Sequence, residues 1–190
     1  MICGYILAGG KNSRMNGDKK LFLEYEGELF YSRILEVFNM FDETYISVEC
    51  DEPYRQLDVP LVVDQYKEIG PMGGIVSGLS QIDADALCVA ACDMPMVEKN
   101  VIKQLVKAYE EHPVITVIQA GERLHPLLGI YPRKCLPIAK DLIEAGYYKM
   151  RGLLEQFGYQ VVVVEEDAPS IYNVNTMEEY QKLKQLKNHH

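Results

Sequence analysis

The sequence predicts an α/β protein in which a mostly parallel sheet lies between two layers of helices. Short apolar runs recur along the chain, stretches with apolar residues at helical spacing separate them, and the two kinds alternate. Because strand–helix–strand connections are right-handed in nearly all proteins, this order predicts a doubly wound, three-layer domain. With no linker rich in Pro, Gly or Ser, we expect one domain over residues 1–190.

Seven short apolar runs are the candidate strands. In chain order they are Ile2–Leu7, Thr44–Val48, Pro60–Val63, Ala86–Ala91, Val114–Ile118, Leu127–Tyr131 and Tyr159–Val164. Runs of this kind, with few polar interruptions, are typical of strands covered by helices on both faces.

The candidate helices lie between these runs. They are Leu29–Phe41, a shorter helix that follows Gly73-Gly74, Val97–Tyr109 and Pro137–Ala145. A last helix is expected to begin at Thr176, because Glu179 three residues later completes a capping box.

The charge balance limits the possible partners. With 19 basic and 28 acidic residues, the formal net charge is -9, which disfavours duplex nucleic acid and anionic membranes. An anionic ligand would therefore have to be bound by a few placed cations, by backbone N–H groups or through a metal ion. We expect no nucleic-acid and no membrane partner.

The sequence also predicts a cytoplasmic protein with reduced thiols. No apolar stretch approaches the roughly 18 residues of a membrane-spanning helix, and the first residues do not resemble a secretory signal. The five cysteines are an odd number and include no C-x-x-C pair. Reduced, partly buried cysteines are the simplest interpretation.

The first strand is followed by a loop that could bind phosphate. Its sequence, residues 7–19, reads LAGGKNSRMNGDK, in which Gly9 and Gly10 allow backbone N–H groups to approach a phosphate closely. Arg14 and Lys19 add positive charge to the same loop. The loop matches neither a Walker A motif nor G-x-G-x-x-G, and a simple glycine turn is the alternative.

Two acidic residues follow later strands. Asp64 ends the third strand and could accept a hydrogen bond from a base or ribose, although Asp is also common as a turn former or helix cap. Asp93 follows the apolar run Ala86–Ala91, and Pro95 stiffens the turn that presents it. A carboxylate opposite a phosphate-binding loop is a natural ligand for Mg²⁺; an exposed turn residue is the alternative.

Polar residues before the last helix form a fourth candidate. Asn173 and Asn175 are two positions apart on a segment expected to be extended, so their amides should point the same way. They could bind a polar heterocycle or a phosphate, unless Asn175 only caps the helix. His125 is weaker evidence, because an isolated His before Pro is more often a packed or surface residue than a base.

Together the motifs resemble the molybdenum cofactor guanylyltransferases, a family of the nucleotidyltransferase superfamily. The resemblance rests on LAGG with RM and DK downstream, GPMGGI after Asp64, ACDMP, HPLLGIY and NVNT, and it extends from Ile6 to about Tyr180. It implies a Rossmann-like nucleotidyltransferase fold. It also implies transfer of GMP from Mg²⁺-bound GTP to the terminal phosphate of molybdopterin, with release of pyrophosphate.

The resemblance assigns roles to the matching residues. They are Leu7, Ala8, Gly9, Gly10, Lys19, Asp64 and Asp93 for the nucleotide, Asp93 for Mg²⁺, Asn173 and Asn175 for molybdopterin, and Arg14, Lys19 and Asp93 for catalysis. In this superfamily LAGG accompanies guanosine nucleotides and LAAG cytidine nucleotides, so Gly9 favours GTP. Two positions depart from the pattern: Asn16 replaces the usual Gly, and the segment after the second strand, residues 47–51, has no Asn.

The implied reaction needs no strong base, since a phosphate monoester with a second pKa of about 6 is already an anion near neutral pH. Three alternatives stay open from the residues: cytidylyl transfer to molybdopterin, transfer to a sugar 1-phosphate, and GTP binding without catalysis. Proteins that supply or accept the cofactor are further expected partners.

Overall fold

The computed structural model describes residues 1–9, 14–15 and 18–185, and for Arg14, Met15, Asp18 and Pro53 it describes the backbone alone. Within these residues a seven-stranded sheet forms the centre of the protein. Its strands are β1 (Ile2–Leu7), β2 (Thr44–Val48), β3 (Leu61–Val63), β4 (Ala86–Ala91), β5 (Ile115–Ala120), β6 (Arg123–Pro132) and β7 (Tyr159–Val164). Their order across the sheet is β7-β5-β6-β4-β1-β2-β3, and among them only β6 runs antiparallel to its neighbours.

The register brings the carboxyl ends of the central strands together. Leu7, at the end of β1, pairs with Ser47 of β2 and with Ala91 of β4. Val63, at the end of β3, pairs with Val48 of β2. The loops that follow these four strands therefore meet at one edge of the sheet, where ligand sites of open α/β sheets are found.

Six α-helices lie in the described part of the chain. They are α1 (Phe30–Phe38), α2 (Pro71–Gln81), α3 (Lys99–Glu111), α4 (Leu136–Glu144), α5 (Met150–Phe157) and α6 (Met177–Gln185). None of these helices is both long and apolar enough to cross a membrane.

Alternate residues of the strands build a core on each face of the sheet. Tyr5 of β1 packs in the cluster that contains residues of α2, α4 and α5, whereas Ile6 packs in the cluster that contains residues of α1 and α3. A smaller cluster joins α6, through Tyr180 and Leu183, to residues 23–30. The predicted three-layer, mostly parallel α/β architecture is thus confirmed.

Four strands have the predicted bounds, namely β1, β2, β4 and β7. The prediction for β6 was too short, since this strand extends from Arg123 to Pro132 and contains an irregularity between His125 and Gly129. The sequence analysis also missed two short hairpins, which pair Arg14–Met15 with Asp18–Lys19 and Glu24–Tyr25 with Glu28–Leu29.

The predicted start of α2 was wrong. The helix begins at Pro71, so Gly73 and Gly74 lie inside it rather than before it. Proline fits the first turn of a helix because its missing N–H would have no helical partner there. A Cβ at residue 74 would lie 2.8 Å from Leu7 Cδ2 and 2.9 Å from Ser47 Oγ. The glycine therefore allows α2 to pack closely against the ends of β1 and β2.

Candidate active site

A cleft of about 390 Å³ lies at the carboxyl ends of the central strands. Residues from four strand ends, from the start of α2 and from the segment before α6 form its walls. They include Leu7, Gly9, Ser47, Asp64, Gly70, Pro71, Gly74, Ala91, Cys92, Asp93, Leu127, Asn173 and Asn175. The structure thus brings together candidates that are far apart in sequence, because the parallel strands end at the same edge.

Asp64 lies against Gly9 on one wall of the cleft. Its Oδ1 accepts a hydrogen bond of 2.6 Å from Ser47 Oγ, and its backbone N–H donates to Val48 O at 2.9 Å. A Cβ at residue 9 would collide with Asp64 Oδ2. The first glycine of the LAGG sequence, Gly9, is therefore needed to leave the Asp64 carboxylate in place.

The surroundings of Asp64 disfavour its charged form. Burial, with a smaller contribution from the charge of Glu49, raises the pKa of the carboxyl to about 6 against the opposing effect of the hydrogen bond from Ser47. Asp64 consequently changes protonation state close to neutral pH, and a ligand that donates hydrogen bonds to it would stabilise the ionised carboxylate.

A buried lysine joins Asp93 to Asn175. Lys20 Nζ lies 3.2 Å from Asp93 Oδ2 and donates a hydrogen bond of 2.8 Å to Asn175 Oδ1. Lys20 is only 1% exposed, although it lies on the protein's amino-terminal segment and Asn175 lies before the last helix. Because an unpaired buried ammonium is very costly, this lysine fixes the relative positions of the two acceptors.

The second oxygen of Asp93 has no hydrogen-bond partner among the described residues. Asp93 Oδ1 is buried and accepts no hydrogen bond from the residues that the structure describes. Burial raises the pKa of the Asp93 carboxyl, and the charge and hydrogen bond of Lys20 oppose that rise. A bound cation would relieve the cost of keeping this carboxylate ionised.

A single protein carboxylate suits a metal ion that takes most of its ligands from the enzyme's substrate and from water. Across residues 1–9, 14–15 and 18–185, no three His, Cys, Asp or Glu residues are grouped so that they could hold a metal ion. Mg²⁺ is commonly bound through one or two carboxylates, substrate phosphates and water. The single carboxylate of Asp93, with its unpartnered Oδ1, fits that type of binding.

Lys19 lies beside the cleft and forms an ion pair. Its Nζ is 2.5 Å from Glu49 Oε1 and lies 5.2 Å from the centre of the Tyr54 ring. Burial lowers the pKa of Lys19, but the hydrogen bond and charge of Glu49 help to raise it overall, so the side chain is a cation. Glu49 and Asp64 both line a neighbouring hollow, which places Lys19 near the Asp64 side of the cleft.

The segment that contains the two asparagines is fixed at both ends. Val174 N donates a hydrogen bond of 2.9 Å to Asp93 O, which ties the segment to the end of β4. The predicted capping box is confirmed: Glu179 N donates to Thr176 Oγ1 at 3.1 Å, and Thr176 N donates to Glu179 Oε2 at 2.9 Å. Asn173 and Asn175 both line the cleft. They also line a second cavity of about 570 Å³, which adjoins the cleft at these two residues.

Two of the predicted site residues cannot be placed. Gly10 lies outside the described residues, and of Arg14 the structure describes only the backbone, in the first hairpin. Leu7 and Ala8 are buried at the end of β1, where Ala8 N donates to Ser47 O at 3.0 Å.

Sequence reasoning missed the importance of Lys20. It stands next to Lys19, and nothing in the pattern of a basic loop separates a buried lysine from an exposed one. Lys20 begins the short helical turn Lys20–Phe22, in which Lys20 and Leu21 are buried, and the sequence contains no signal for the burial of this lysine.

Comparison with known proteins agrees with this geometry. Residues 4–166 match a protein-family model described as "MobA-like NTP transferase domain". A Clostridium perfringens protein named "Probable molybdenum cofactor guanylyltransferase" is 34% identical over 186 residues, covering 94% of this chain and 93% of its own length.

Two solved structures illustrate the fold. The molybdopterin-guanine dinucleotide biosynthesis protein A of Archaeoglobus fulgidus superposes with a TM-score of 0.83 at 21% identity, over 99% of both chains. A Mycobacterium tuberculosis protein solved in complex with manganese superposes with a TM-score of 0.72 at 16% identity, over 97% of this chain and 98% of its own. At these identities the similarity concerns the fold alone.

Proposed function

This chain belongs to the family of MobA-like NTP transferase domains, and we propose that it transfers GMP from Mg²⁺-bound GTP to the terminal phosphate of molybdopterin. The products are pyrophosphate and molybdopterin guanine dinucleotide. The observation that carries the proposal is that Gly9, Asp64, Asp93 and Asn173 line one cleft, although they come from four separate parts of the sequence. The name of the Clostridium perfringens relative supports the choice of guanylyl donor and molybdopterin acceptor.

The nucleotide is proposed to lie along the end of β1. The backbone of Leu7, Ala8, Gly9 and Gly10 would line the guanosine and phosphate site, since glycine permits the close approach of N–H groups to phosphate oxygens. Asp64, on the wall next to Gly9, would accept hydrogen bonds from the guanosine part. Its raised pKa means that such donors would bind the ionised form and lower the pKa again.

The triphosphate is proposed to bind to the two cations of the first loop, Lys19 and Arg14. Lys19 would exchange its contact with Glu49 for a contact with a phosphate, and Arg14 would share the charge that develops on the transferred group. Charge-assisted contacts of this kind act mainly by positioning and by electrostatic stabilisation of the transition state. An acidic protein of net charge -9 thereby concentrates positive charge where the triphosphate binds.

Asp93 would hold the Mg²⁺ ion through the oxygen that Lys20 does not contact. When bound, the ion would neutralise part of the phosphate charge and polarise the phosphoryl group that is attacked. Lys20 keeps the carboxylate in place from the other side, since it contacts Asp93 Oδ2 and Asn175 Oδ1 together.

The acceptor is proposed to approach from the side of Asn173 and Asn175. A terminal phosphate oxygen of molybdopterin attacks the α-phosphorus of GTP, a new P–O bond forms, and the bond to the β-phosphate oxygen breaks. Pyrophosphate leaves with that electron pair. The nucleophile is already an anion near neutral pH, so the asparagines need only orient the phosphate and no side chain has to remove a proton.

The test uses the whole chain with GTP, MgCl₂ and molybdopterin, and it measures both pyrophosphate and the dinucleotide product. We expect equal amounts of the two products, and we expect neither without the acceptor. The same assay with CTP and with a sugar 1-phosphate distinguishes the alternative transfers. Binding of GTP without release of pyrophosphate in the presence of any of these acceptors would refute the enzymatic proposal.

A further inference from the structure

The two edges of the seven-stranded sheet differ in how they are protected. At one edge, β3 has only three residues, and the Gln81 side chain donates a hydrogen bond of 3.0 Å to Val63 O. At the other edge, β7 has six residues, Tyr159–Val164, and within the described part of the chain it pairs only with β5. An edge strand presents a row of backbone N–H and C=O groups that can pair with another strand. The edge formed by β7 is therefore the better candidate for such pairing.

β7 lacks the features by which proteins usually protect an edge strand. Its sequence, YQVVVV, contains no charged residue, proline or glycine, and its pairing with β5 stays in register over all six residues. Natural edge strands are commonly protected by charged side chains, by proline or by bulges. In β7, by contrast, Tyr159 is 42% exposed and Val163 is 66% exposed. The strand thus combines an edge position with exposed apolar side chains.

The exposed side chains of β7 lie on one face of the sheet. Val161 packs against the core cluster that contains residues of α2, α4 and α5, whereas Val162 and Val164 pack against the cluster on the other face. Because side chains alternate along a strand, Tyr159 and Val163 share the face of Val161. They lie two residues before and two residues after it. This arrangement is symmetric about Val161, so it suits pairing with a second copy of the same strand.

We propose that β7 pairs antiparallel with β7 of a second copy of this chain, with Val161 on the two-fold axis. The axis is perpendicular to the sheet, so residues directly opposite each other lie on the same face. In this register Tyr159 of each copy lies opposite Val163 of the other. Contacts between aromatic and β-branched side chains on neighbouring strands stabilise a sheet. The pairing therefore covers both exposed apolar residues and joins the two sheets into one.

The charges that flank β7 favour a second copy in this orientation. Three acidic residues, Glu165, Glu166 and Asp167, directly follow the strand. In the antiparallel register Glu165 lies opposite Phe157 of the second copy, and the two Glu165 residues are about 27 Å apart along the strands. This distance exceeds the Debye length of about 8 Å at physiological ionic strength. The antiparallel register thus keeps the two acidic segments apart, whereas a parallel one would place them side by side.

The side chain of Gln160 is already bound within the chain. Its Nε2 lies 2.9 Å from Ala108 O and 2.8 Å from His112 O, at the end of α3, and 3.0 Å from Thr116 Oγ1 of β5. Its N–H groups therefore have acceptors before a second strand approaches. Pairing along this edge buries no unsatisfied donor of the Gln160 side chain.

Sedimentation equilibrium of the whole chain measures the association. A pair of six-residue strands is a small interface, so we expect dimers with a dissociation constant of about 1–100 µM. Val163→Lys should raise this constant about thirtyfold or more, because a charged side chain would have to be buried opposite Tyr159 at two symmetric places. Val63→Lys is the matched control, since it makes the same change on the other edge strand, where Val63 is 39% exposed. It should leave the constant within about twofold.

Disulfide formation between copies tests the register. Cys50, which is exposed, is first replaced by serine. In this background Val161→Cys should form a disulfide between two copies on oxidation, because opposite residues of antiparallel strands have Cα atoms about 4.5–5.5 Å apart. Val163→Cys alone should form none, since its two copies would be about 14 Å apart along the strands. A mixture of Val163→Cys with Tyr159→Cys should form the mixed disulfide.

Three outcomes would overturn the inference. One is a chain that stays monomeric up to about 500 µM, five times the weakest expected dissociation constant, and that forms no disulfide in Val161→Cys; an extended segment of another protein would then be the candidate for this edge. The second is a dimer that Val163→Lys does not weaken, and the third is a disulfide in Val163→Cys alone. Circular dichroism verifies folding, and if Val163→Lys does not fold, the disulfide measurement decides. The inference does not rest on the proposed function.

Discussion

Lys20 and Asp93 form an ion pair between the amino-terminal segment and the end of β4, with Nζ 3.2 Å from Oδ2. The Lys20 side chain is 2% exposed and the Asp93 side chain is 17% exposed. Removing one partner of a buried pair leaves the other charge uncompensated, whereas removing both is far less costly. The pair therefore fixes the position of the carboxylate that we propose for Mg²⁺. In return, each of the two buried charges depends on the other for its stability.

Lys20→Met should lower the free energy of unfolding by about 3 kcal/mol, because Asp93 then stays buried without its cation. In the double variant Lys20→Met with Asp93→Asn, the loss should be smaller than the sum of the two single losses by about 2 kcal/mol. Urea unfolding followed by circular dichroism measures all four proteins, and strictly additive losses would show that the pair is not coupled.

Asp93→Asn should lower kcat by about 10²–10³ under saturating GTP, because the amide cannot replace the carboxylate as a ligand of Mg²⁺. A titration with MgCl₂ checks the cause. The wild type should show saturable activation, and the variant should gain little at any concentration. Asp83→Asn is the control, since the Asp83 side chain is fully exposed and lies away from the cleft lining. A wild-type Mg²⁺ response in Asp93→Asn would refute the metal assignment.

Lys19→Met should lower kcat/KM for GTP by about 10² or more, because it removes a cation that is proposed to contact the triphosphate. Lys99→Met is a control that makes the same substitution elsewhere, since Lys99 donates its hydrogen bond to Asn39 Oδ1 at an exposed site. Initial rates at low GTP measure the ratio directly. A loss in the control as large as in Lys19→Met would indicate a general effect of net charge instead of a local contact.

Gly9→Ala should raise the KM for GTP about tenfold, because the added Cβ would collide with Asp64 Oδ2 and displace the carboxylate from Ser47. Gly152→Ala is a suitable control. It adds a Cβ inside α5, where the nearest atom would be 3.9 Å away, and it should leave the kinetics unchanged. An unchanged KM for GTP in Gly9→Ala would mean that the position tolerates a side chain and does not select the nucleotide through Asp64.

The pKa of Asp64 predicts a change of stability with pH. Since burial raises its folded-state pKa to about 6, above the unfolded value of about 3.9, the folded protein binds this proton more tightly. The contribution is present below the unfolded pKa and is lost as the pH rises towards 6. Relative to Asp64→Asn, the wild type should therefore become less stable between pH 4 and pH 6. Urea unfolding at several pH values tests this, and a constant difference between the two proteins would contradict it.

The sequence was most informative where one structural rule dominates. Parallel strands covered by helices produce apolar runs, so β1, β2 and β4 were predicted with their observed bounds. The edge strand β7 is partly exposed, and its four consecutive valines identified it. The position of Asp64 and Asp93 at strand ends then followed from the fold class, because such strands end at a common edge. The first of these rules depends on local sequence and the second on the strand topology, so both can be applied without knowing where side chains lie.

The features that escaped prediction depend on contacts between distant parts of the chain. The partner of Lys20 lies 73 positions away, and its second acceptor, Asn175, lies 155 positions away. The bulge in β6, between His125 and Gly129, depends on the register with β5. Neither relationship leaves a periodic pattern in the sequence.

The most direct test of the central claim is the stoichiometry of GMP transfer. The wild-type chain is mixed with α-labelled GTP, MgCl₂ and molybdopterin, and label in the dinucleotide is measured together with pyrophosphate. The account predicts one labelled nucleotide per pyrophosphate, with both products lowered about 10²–10³-fold in Asp93→Asn. Label that stays in GTP with every acceptor offered, or transfer that is equally fast in Asp93→Asn, would contradict it.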